Sequence, residues 1–440
     1  ELPDASDGGR TWTFRIRNGF GFSPPSTQEV TAESFRHAVE RAVELARLFG
    51  DELGPPLSNI VGAQAYYAGR ARHISGVAPD GDELVIRLRE PTPDLPWLAA
   101  ASSCAVPVPT PVVDGGLEKP VSSAGPYYLD VLTDSLAVLR KNPNYGGSRP
   151  QNLDAIVVEF SVPPSDAVTR IDNGTLDYFF ESQQATLTPG TDAARAAGVR
   201  YRVTPYNRIQ YFAFNYDRAL FADRSMRRAV QYALDRSALV ASSPSGSTGR
   251  PATRLLYPST LGYDPRQLYP LRSDLRTARR LAAGRDGRVV VCCTFVGDAQ
   301  NAERFNAALR KQLAAIDLRM KMLWIRQGAP DSEVLAKVLQ SDLIWGGLNN
   351  HTADPAGYLK DLFLPSKEAT ELRRIQTLLT PERERAALAL ARRIERESLY
   401  AVYQMDGMPE LMSKRLGCIV HQPEYAGVDL AAACLKSSRD

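Results

Sequence analysis

The chain has 440 residues, of which 44% are hydrophobic and 23% are charged, and this composition is ordinary for globular proteins. A chain of this length is too long for one hydrophobic core, so we expect two or three domains. The formal net charge of +3 is too small to indicate binding to nucleic acid or to an anionic membrane. No apolar run approaches the roughly 20 residues of a membrane-spanning helix.

The N-terminal third alternates between strand and helix patterns. Apolar and polar residues alternate from Thr11 to Arg17, which is the period of a half-buried strand. Thr31 is the predicted N-cap of a helix, with Glu33 in its first turn. The tight turn Asp80-Gly81 then leads into a returning strand from Leu84 to Leu88.

The middle of the chain continues this alternation, with elements recognised by their periodicity and their stop residues. The predicted elements are strands at 136–139, 155–160 and 211–215, a short helix at 166–173 stopped by Gly174, a helix at 225–235, and an exposed loop at 242–249 rich in Ser, Gly and Pro.

The C-terminal half contains a β-α-β-α-β pattern, which is typical of a parallel-sheet α/β domain. Its members are a leading helix at 275–283, strands at 289–295, 320–325 and 342–345, and helices at 302–315 and 331–340. A charged amphipathic helix is predicted at 381–397, and the end of the chain, 417–434, has a loop-like composition.

The five cysteines include no C-x-x-C pair of the kind found in zinc or redox sites. Cys418 and Cys434 enclose a short loop, and a bridge between them would contribute about 3 kcal/mol. The sequence leaves open whether that bridge forms. Cys292 and Cys293 lie in an apolar run that predicts a buried strand, and we interpret them as core thiols.

Several segments occur in the order of the recurring motifs of one protein family. They include Thr13–Arg17 with Thr31–Glu33, Ser123–Tyr127, Arg140–Tyr145, Asp172–Asp177, and Arg227–Arg236 with the preceding Asn215 and Phe221–Arg224. In this order the chain resembles the bacterial extracellular solute-binding proteins of family 5, the dipeptide-, oligopeptide- and nickel-binding group. In that family a further segment precedes the first motif. The chain opens at Glu1 without the features of a secretory signal, so we expect either that a signal was removed or that the chain is an excerpt of a longer polypeptide. The segment that the family would place before the first motif is missing, which favours the excerpt.

The resemblance implies an α/β fold of the class II periplasmic-binding-protein type, with two lobes joined by a hinge and an additional small domain. The implied small domain is 1–120, the first lobe is 121–212 with 402–440, and the second lobe is 213–401. The chain would cross between the lobes near 211–215 and 399–403. A solute would bind in the cleft between the lobes, which close by a hinge motion.

The segment from Trp345 to Asp354 falls where the family places residues that face the cleft. A strand end followed by glycines is expected to expose backbone and aromatic surface to a ligand. Trp345 either forms a wall for the solute or fills the core at a strand end. Asn349, Asn350 and His351 either hydrogen-bond a neutral or anionic solute or form an Asx-rich turn.

Peptide binders of the family carry an aspartate three positions before the aspartate of Asp354-Pro355, where it pairs with the peptide amine. This chain has His351 at that position, so the usual amine clasp is not evident. Three further ligand-binding candidates lie at the predicted crossings: Arg208, Tyr211 and Tyr403. Tyrosine combines an apolar ring with one polar group, whereas Arg208 is alternatively a solvated loop charge.

The sequence contains no constellation that indicates catalysis. The four histidines, His37, His73, His351 and His421, are not in a metal-ligand spacing, and neither a G-x-S-x-G elbow nor a phosphate-binding loop occurs. We therefore predict a protein that is not an enzyme and that uses no cofactor or metal. A hydrolase remains the third functional class to be weighed.

The resemblance implies the solute-binding component of an ABC-type importer, which binds a peptide or another small polar solute and delivers it to a membrane permease. Such a protein is expected to be a monomer outside the cytoplasm, either periplasmic or a cell-surface lipoprotein. The alternative is a ligand-sensing module of the same fold, fused to a regulatory or signalling protein in the cytoplasm.

Overall fold

The computed structural model of the chain describes residues 3–54, 56–96, 99, 105–110, 121–180, 200–243, 248–283, 285–295, 299–325, 328–349, 353–422 and 427–436. At 293–295 and 299–301 it describes the backbone alone.

The strands are numbered in chain order. They are β1 (Asp4–Ser6), β2 (Thr11–Arg15), β3 (Val77–Asp80), β4 (Glu83–Arg87), β5 (Tyr127–Leu132), β6 (Leu136–Lys141), β7 (Ala155–Glu159), β8 (Tyr178–Phe180), β9 (Arg200–Phe214), β10 (Arg250–Pro251), β11 (Gly287–Phe295), β12 (Leu318–Ile325), β13 (Leu343–Asn349), β14 (Tyr400–Met412), β15 (Leu416–Gly417), β16 (His421–Gln422), β17 (Gly427–Val428) and β18 (Cys434–Leu435).

The helices are numbered in the same way. They are α1 (Ala32–Phe49), α2 (Ala63–Tyr67), α3 (Pro164–Asp172), α4 (Ala219–Ala222), α5 (Arg224–Ala233), α6 (Arg236–Ser242), α7 (Leu275–Ala282), α8 (Ala299–Ala314), α9 (Asp331–Gln340), α10 (Pro355–Leu359), α11 (Ser366–Gln376) and α12 (Glu382–Arg396), with short 3-10 helices at Asp7–Gly9 and Leu57–Asn59.

The N-terminal part of the chain forms a four-stranded antiparallel sheet in the order β1-β2-β4-β3, which packs against α1. Thr31 is the N-cap of α1, as predicted, and it forms a capping box with Ser34. The hydrophobic core of this N-terminal unit is built from the apolar side of α1 and from alternate strand residues such as Trp12, Leu84 and Ile86. A separate three-stranded antiparallel sheet, in the order β5-β6-β7, follows along the chain.

The largest sheet has the order β10-β14-β9-β13-β11-β12, with β8 paired to β14. β11, β12 and β13 are parallel and are connected through α8 and α9, as the alternating pattern predicted. β9 is antiparallel to both β13 and β14, so the sheet is mixed. Each face of this sheet is covered by a separate hydrophobic core.

Alternate residues of the central strands divide between these two cores. Ile209 and Ala213 of β9 pack into the core built with α10 to α12. Phe212 and Phe214 point to the opposite face and pack into the core built with α5 to α8. The structure therefore has three layers across the main sheet, helices on each side of a central sheet.

The polar residues around α5 and α6 have structural roles. Asp223 and Asp235 are the N-caps of these helices, accepting from main-chain N–H groups at 2.7 Å and 2.9 Å. The buried Arg227 donates to three main-chain carbonyl oxygens at 2.7–3.0 Å.

Several strand predictions are incomplete. β14 was not predicted beyond the crossing at 399–403, because all of its residues are buried and its sequence lacks the alternation of a half-exposed strand. β9 begins at Arg200 and β13 continues to Asn349, so both are longer than predicted. The end of the chain is not a plain loop, since β15 pairs with β18 and β16 pairs with β17.

The cysteines require one correction. The bridge between Cys418 and Cys434, which the sequence left open, is formed, with a Cα–Cα distance of 5.3 Å. Cys292 is fully buried in β11, but it is disulfide-bonded, so its interpretation as a core thiol is wrong. The side chain of its partner lies outside the described part of the chain.

Candidate functional site

The central strands bring most of the predicted ligand-binding residues to one face of the main sheet. In the pairing of β9 with β13, Arg208 lies opposite Asn349 and Phe212 lies opposite Trp345. Side chains two residues apart on a strand point to the same face. Arg208, Asn349 and Trp345 therefore share a face, and Tyr403 of β14 joins them there through its contact with Trp345.

Trp345 links the hydrophobic core to the open part of this face. Its half-buried ring stacks on Phe305 with ring centroids 4.4 Å apart. Its Nε1–H donates to the hydroxyl of the fully buried Tyr403 at 2.9 Å. Burial raises the pKa of the Tyr403 phenol well above its usual value, so the hydroxyl stays neutral. Trp345 thus both fills the core and leaves part of its ring available.

The pairing of β9 with β14 is irregular near the predicted crossing. The register shifts between Val402 and Gln404 and again between Met405 and Gly407. At the first shift Tyr403 is an extra residue of β14, and at the second shift Tyr206, Asn207 and Arg208 of β9 lie opposite the single residue Asp406 of β14. A bulge redirects a side chain that would otherwise follow the strand's alternation, and here the bulges lie beside Trp345 and Arg208.

Asp406 is the centre of a buried polar cluster on this face. The residue is 4% exposed. Gln210 Nε2 donates to its Oδ2 at 2.8 Å, and Gln404 Nε2 donates to its Oδ1 at 2.7 Å. Burial raises the pKa of the Asp406 carboxyl despite these hydrogen bonds and the nearby Arg208.

Arg208 lies at the boundary between this cluster and solvent. Its Nε is 3.8 Å from Asp406 Oδ2, too far for a hydrogen bond, and its side chain is 40% exposed. Nε is buried and has no hydrogen-bond partner among the residues that the structure describes. The guanidinium lies across Gly347, where an added Cβ would be only 2.6 Å from Nε. Arg208 is therefore a half-exposed cation held against the sheet rather than a freely solvated loop charge.

Tyr211 does not join the other candidates. It lies opposite Gly346 and is an odd number of positions away from Arg208 along β9. Side chains alternate along a strand, so the Tyr211 ring is on the other face of the sheet. There it packs edge-on against Tyr400 at 5.0 Å in the core built with α10 to α12. Burial raises the pKa of the Tyr211 phenol.

The two glycines of β13 lie within the strand and are partly buried. A Cβ on Gly346 would contact the Tyr211 ring at 3.2 Å, and a Cβ on Gly347 would meet Arg208. Both glycines instead allow side chains of β9 to lie flat across β13, one on each face of the sheet. This close approach is a reason for glycine at both positions.

The remaining candidates follow β13. Asn349 is exposed at the end of that strand, whereas Asn350 and His351 lie outside the described residues. Asp354 begins α10, where it accepts from the N–H groups of Ala356 and Gly357 at 3.0 Å and 3.1 Å. It is also bonded to the buried Arg383, at 2.9 Å from Nε. The chain that leaves the candidate site is thus anchored at Asp354.

The buried residues Gln210, Gln404 and Asp406 were not recognised from the sequence. A possible indication is a carboxylate within the buried, mostly apolar run of β14, since such groups are rarely fully buried without partners. Their convergence depends on the register of two strands almost 200 positions apart in sequence, as in the Gln210–Asp406 bond with a separation of 196. A local pattern contains no information on that register.

The described residues contain neither a metal-binding cluster nor a membrane-spanning helix. No group of three or more His, Cys, Asp and Glu side chains is placed to hold a metal ion. In the same part of the chain, no helix has both the length and the apolar composition needed to cross a bilayer.

Comparisons with known proteins identify the family. The model of the bacterial extracellular solute-binding proteins, family 5, matches residues 1–369. A Brucella ovis protein named for ABC-transporter peptide binding is 26% identical over 200 residues, 42% of this chain and 36% of that protein. The oligopeptide-binding protein OppA of Bacillus subtilis is 23% identical over 286 residues, 63% of this chain and 51% of OppA. The chain therefore spans about a third to a half of these relatives.

Solved structures show the same fold. The clavulanic acid biosynthesis oligopeptide binding protein 2 superposes with a TM-score of 0.78 at 21% identity, covering 99% of this chain and 85% of that chain. The open form of the periplasmic murein tripeptide binding protein MppA gives a TM-score of 0.77 at 20% identity, covering 99% and 88%. The fold is thus the two-lobed α/β type of the periplasmic binding proteins. Since the family model covers most of its length, this chain belongs to family 5 of the bacterial extracellular solute-binding proteins.

Proposed function

We propose that this protein is the solute-binding component of an ABC importer. Its solute binds on the face of β9, β13 and β14 that carries Arg208, Trp345 and Asn349. The observation that carries this proposal is the pairing of a partly exposed aromatic ring with a half-exposed cation that makes no hydrogen bond within the described residues. Both lie beside the bulges of the two strands that are expected to connect the lobes.

The binding role is supported by the family, but the solute is not defined by it. The named solutes of the relatives and structural neighbours differ, and they include oligopeptides, a murein tripeptide and nickel. The residues of the site therefore have to define the solute of this chain. A polar small molecule fits a face that combines an aromatic ring with an arginine and an asparagine.

The assembly and location follow from the same proposal. We infer a small domain at 1–120, a first lobe at 121–212 with 402–440, and a second lobe at 213–401, with the solute between the lobes. The protein acts as a monomer outside the cytoplasm and delivers its solute to an ABC permease. The name of the family, which specifies extracellular proteins, supports this location.

Native mass spectrometry of the protein, purified without denaturation, tests the function. We expect a small molecule to co-purify with the wild type. Trp345→Ala should reduce the affinity for that molecule by at least about tenfold, since an aromatic side chain in a binding site commonly contributes 1–3 kcal/mol or more. The melting temperature serves as the check on folding.

Trp324→Ala is the matched control for this experiment. Trp324 is also partly buried, but it lies on β12, two strands away from β13 at the edge of the sheet. Trp324→Ala should leave the affinity for the co-purified molecule unchanged. If no small molecule co-purifies, and the two variants do not differ in binding any added solute, the proposed function is wrong.

A further inference from the structure

Arg208 is a half-exposed cation that, among the described residues, has one long ion pair, at 3.8 Å from Asp406. The side chain of Arg208 makes no hydrogen bond within the described part of the chain, and its Nε is buried. The buried Arg383 offers a contrast, because it donates to Asp354 at 2.9 Å and to the carbonyl of Gln376 at 2.7 Å. A buried donor without an acceptor costs free energy, whereas the exposed part of the Arg208 guanidinium is accessible to an acceptor of a ligand.

Asp406 does not take the place of such a ligand. It is the acidic group near Arg208, yet the closest approach is 3.8 Å. Each of its oxygens already accepts from a glutamine amide, from Gln210 and from Gln404. Its carboxyl is also shielded from solvent by these partners and the strands around it, being 4% exposed. Asp406 therefore holds Arg208 loosely in position and leaves the guanidinium free to donate.

The surroundings of Arg208 define what else the ligand contacts. The guanidinium lies over Gly347, which is two residues from Trp345 along the same face of β13. A planar guanidinium held in this way can donate two parallel N–H bonds to a carboxylate. A group attached to that carboxylate would reach the half-buried ring of Trp345, which favours an apolar or aromatic body.

The same face offers little to a ligand amine. Among the described residues that face Arg208, the acidic group is Asp406, and both of its oxygens are engaged. An ammonium group would bring a second positive charge next to Arg208 without an exposed carboxylate to balance it.

We propose that the solute is an organic carboxylate, whose anionic group binds the Arg208 guanidinium and whose apolar or aromatic body contacts Trp345, without a free amine near the carboxylate. This proposal rests on the proposed solute-binding function and specifies its substrate class.

The test compares acids with their neutral amides. The full chain is freed of bound solute by unfolding and refolding with its disulfides intact. It is then mixed with phenylpropionate, decanoate and N-acetylated dipeptides, the primary amide of each, and the corresponding free-amine dipeptides. Retained compounds are counted by native mass spectrometry. The wild type should retain acids over amides by about 10- to 100-fold, the range expected for hydrogen bonds to a charged group.

Three variants connect this preference to Arg208. Arg208→Gln should bind acids and amides equally, and Arg208→Lys should keep part of the preference because it retains the charge but not the planar fork. Arg373→Gln, which removes an exposed arginine of α11, is the control with the same charge change and should behave as the wild type.

The outcomes separate this inference from the function on which it rests. If amides or free amines are retained as well as acids, or if Arg208→Gln keeps the preference, the inference is overturned while solute binding stands. If the wild type retains no compound of the mixture, the inference is likewise overturned, and the co-purification experiment decides on the function independently.

Discussion

Replacing Gly347 by alanine tests the geometry of the site without touching a ligand-binding side chain. The added Cβ would lie 2.6 Å from Arg208 Nε, 2.7 Å from Nη2 and 3.0 Å from Cζ. Carbon contacts are favourable only beyond about 3.5 Å. The guanidinium must therefore move away from the sheet by about 1 Å.

The expected effects on stability and on binding have opposite signs. Alanine in place of glycine within a strand reduces the freedom of the unfolded chain, which stabilises a protein by about 0.4–1 kcal/mol where the backbone permits it. Since the obstacle is the end of a flexible side chain, Gly347→Ala should melt at or slightly above the wild-type temperature. An N–H···O hydrogen bond requires a donor–acceptor distance of about 2.7–3.2 Å, so a displacement of about 1 Å breaks it. The affinity for a carboxylate should therefore fall about tenfold or more.

Gly346→Ala is the matched control, because it adds the same methyl group one residue earlier. Its Cβ would contact the Tyr211 ring at 3.2–3.3 Å on the opposite face, so it should leave carboxylate binding unchanged. Isothermal titration with phenylpropionate measures the affinities, and differential scanning calorimetry measures the melting. If the two variants bind equally well, Arg208 is not the group that the methyl displaces from the ligand, and the reasoning is refuted.

Two further predictions concern buried charges. Burial raises the pKa of Asp406 above its ordinary value of 3.8. The folded state therefore binds a proton more tightly than the unfolded state. As a result, the free energy of unfolding falls as the pH rises from 3.8 toward the pKa of the folded state. Asp406→Asn should therefore gain stability relative to wild type between pH 3 and pH 7, by about 1.4 kcal/mol for each pKa unit of the shift; a urea-unfolding difference that does not change with pH would contradict this. Arg383→Met should lower the free energy of unfolding by about 3–5 kcal/mol, because it leaves the buried Asp354 without its cation. Combining it with Asp354→Asn should restore part of that loss, and an unchanged urea midpoint in Arg383→Met would show that the pair is not coupled to folding.

Elements with a strong local pattern were predictable from the sequence. The Thr31 cap of α1, the turn at Asp80-Gly81 and the β-α-β-α-β pattern around β11 to β13 all occur as expected. Capping, turn chemistry and hydrophobic periodicity act between neighbours in sequence, so each is visible in a short window. The order of the family motifs added the fold class, since that order is a property of the whole chain.

The candidate site was predictable only in part. The sequence indicated Trp345, Tyr403 and Arg208, but it also indicated Tyr211, which lies on the opposite face. Assigning a side chain to a face requires knowing which alternate residues of the strand point to which side. The second half of β9 has apolar residues on both sides, so its sequence shows no alternation of apolar and polar residues. The same difficulty concealed β14, whose residues are all buried.

By itself, the sequence determined which segments form helices and strands over most of the chain and which family they belong to, because these depend on local periodicity and on the order of motifs. Tertiary structure alone decided which side chains meet. The irregular pairing opposite Asp406, the hydrogen bond that Asp406 accepts from Gln210 and the position of Arg208 over Gly347 arise from the register between β9, β13 and β14. A shift of one residue in either pairing would send these side chains to opposite faces, and no short stretch of sequence specifies that register.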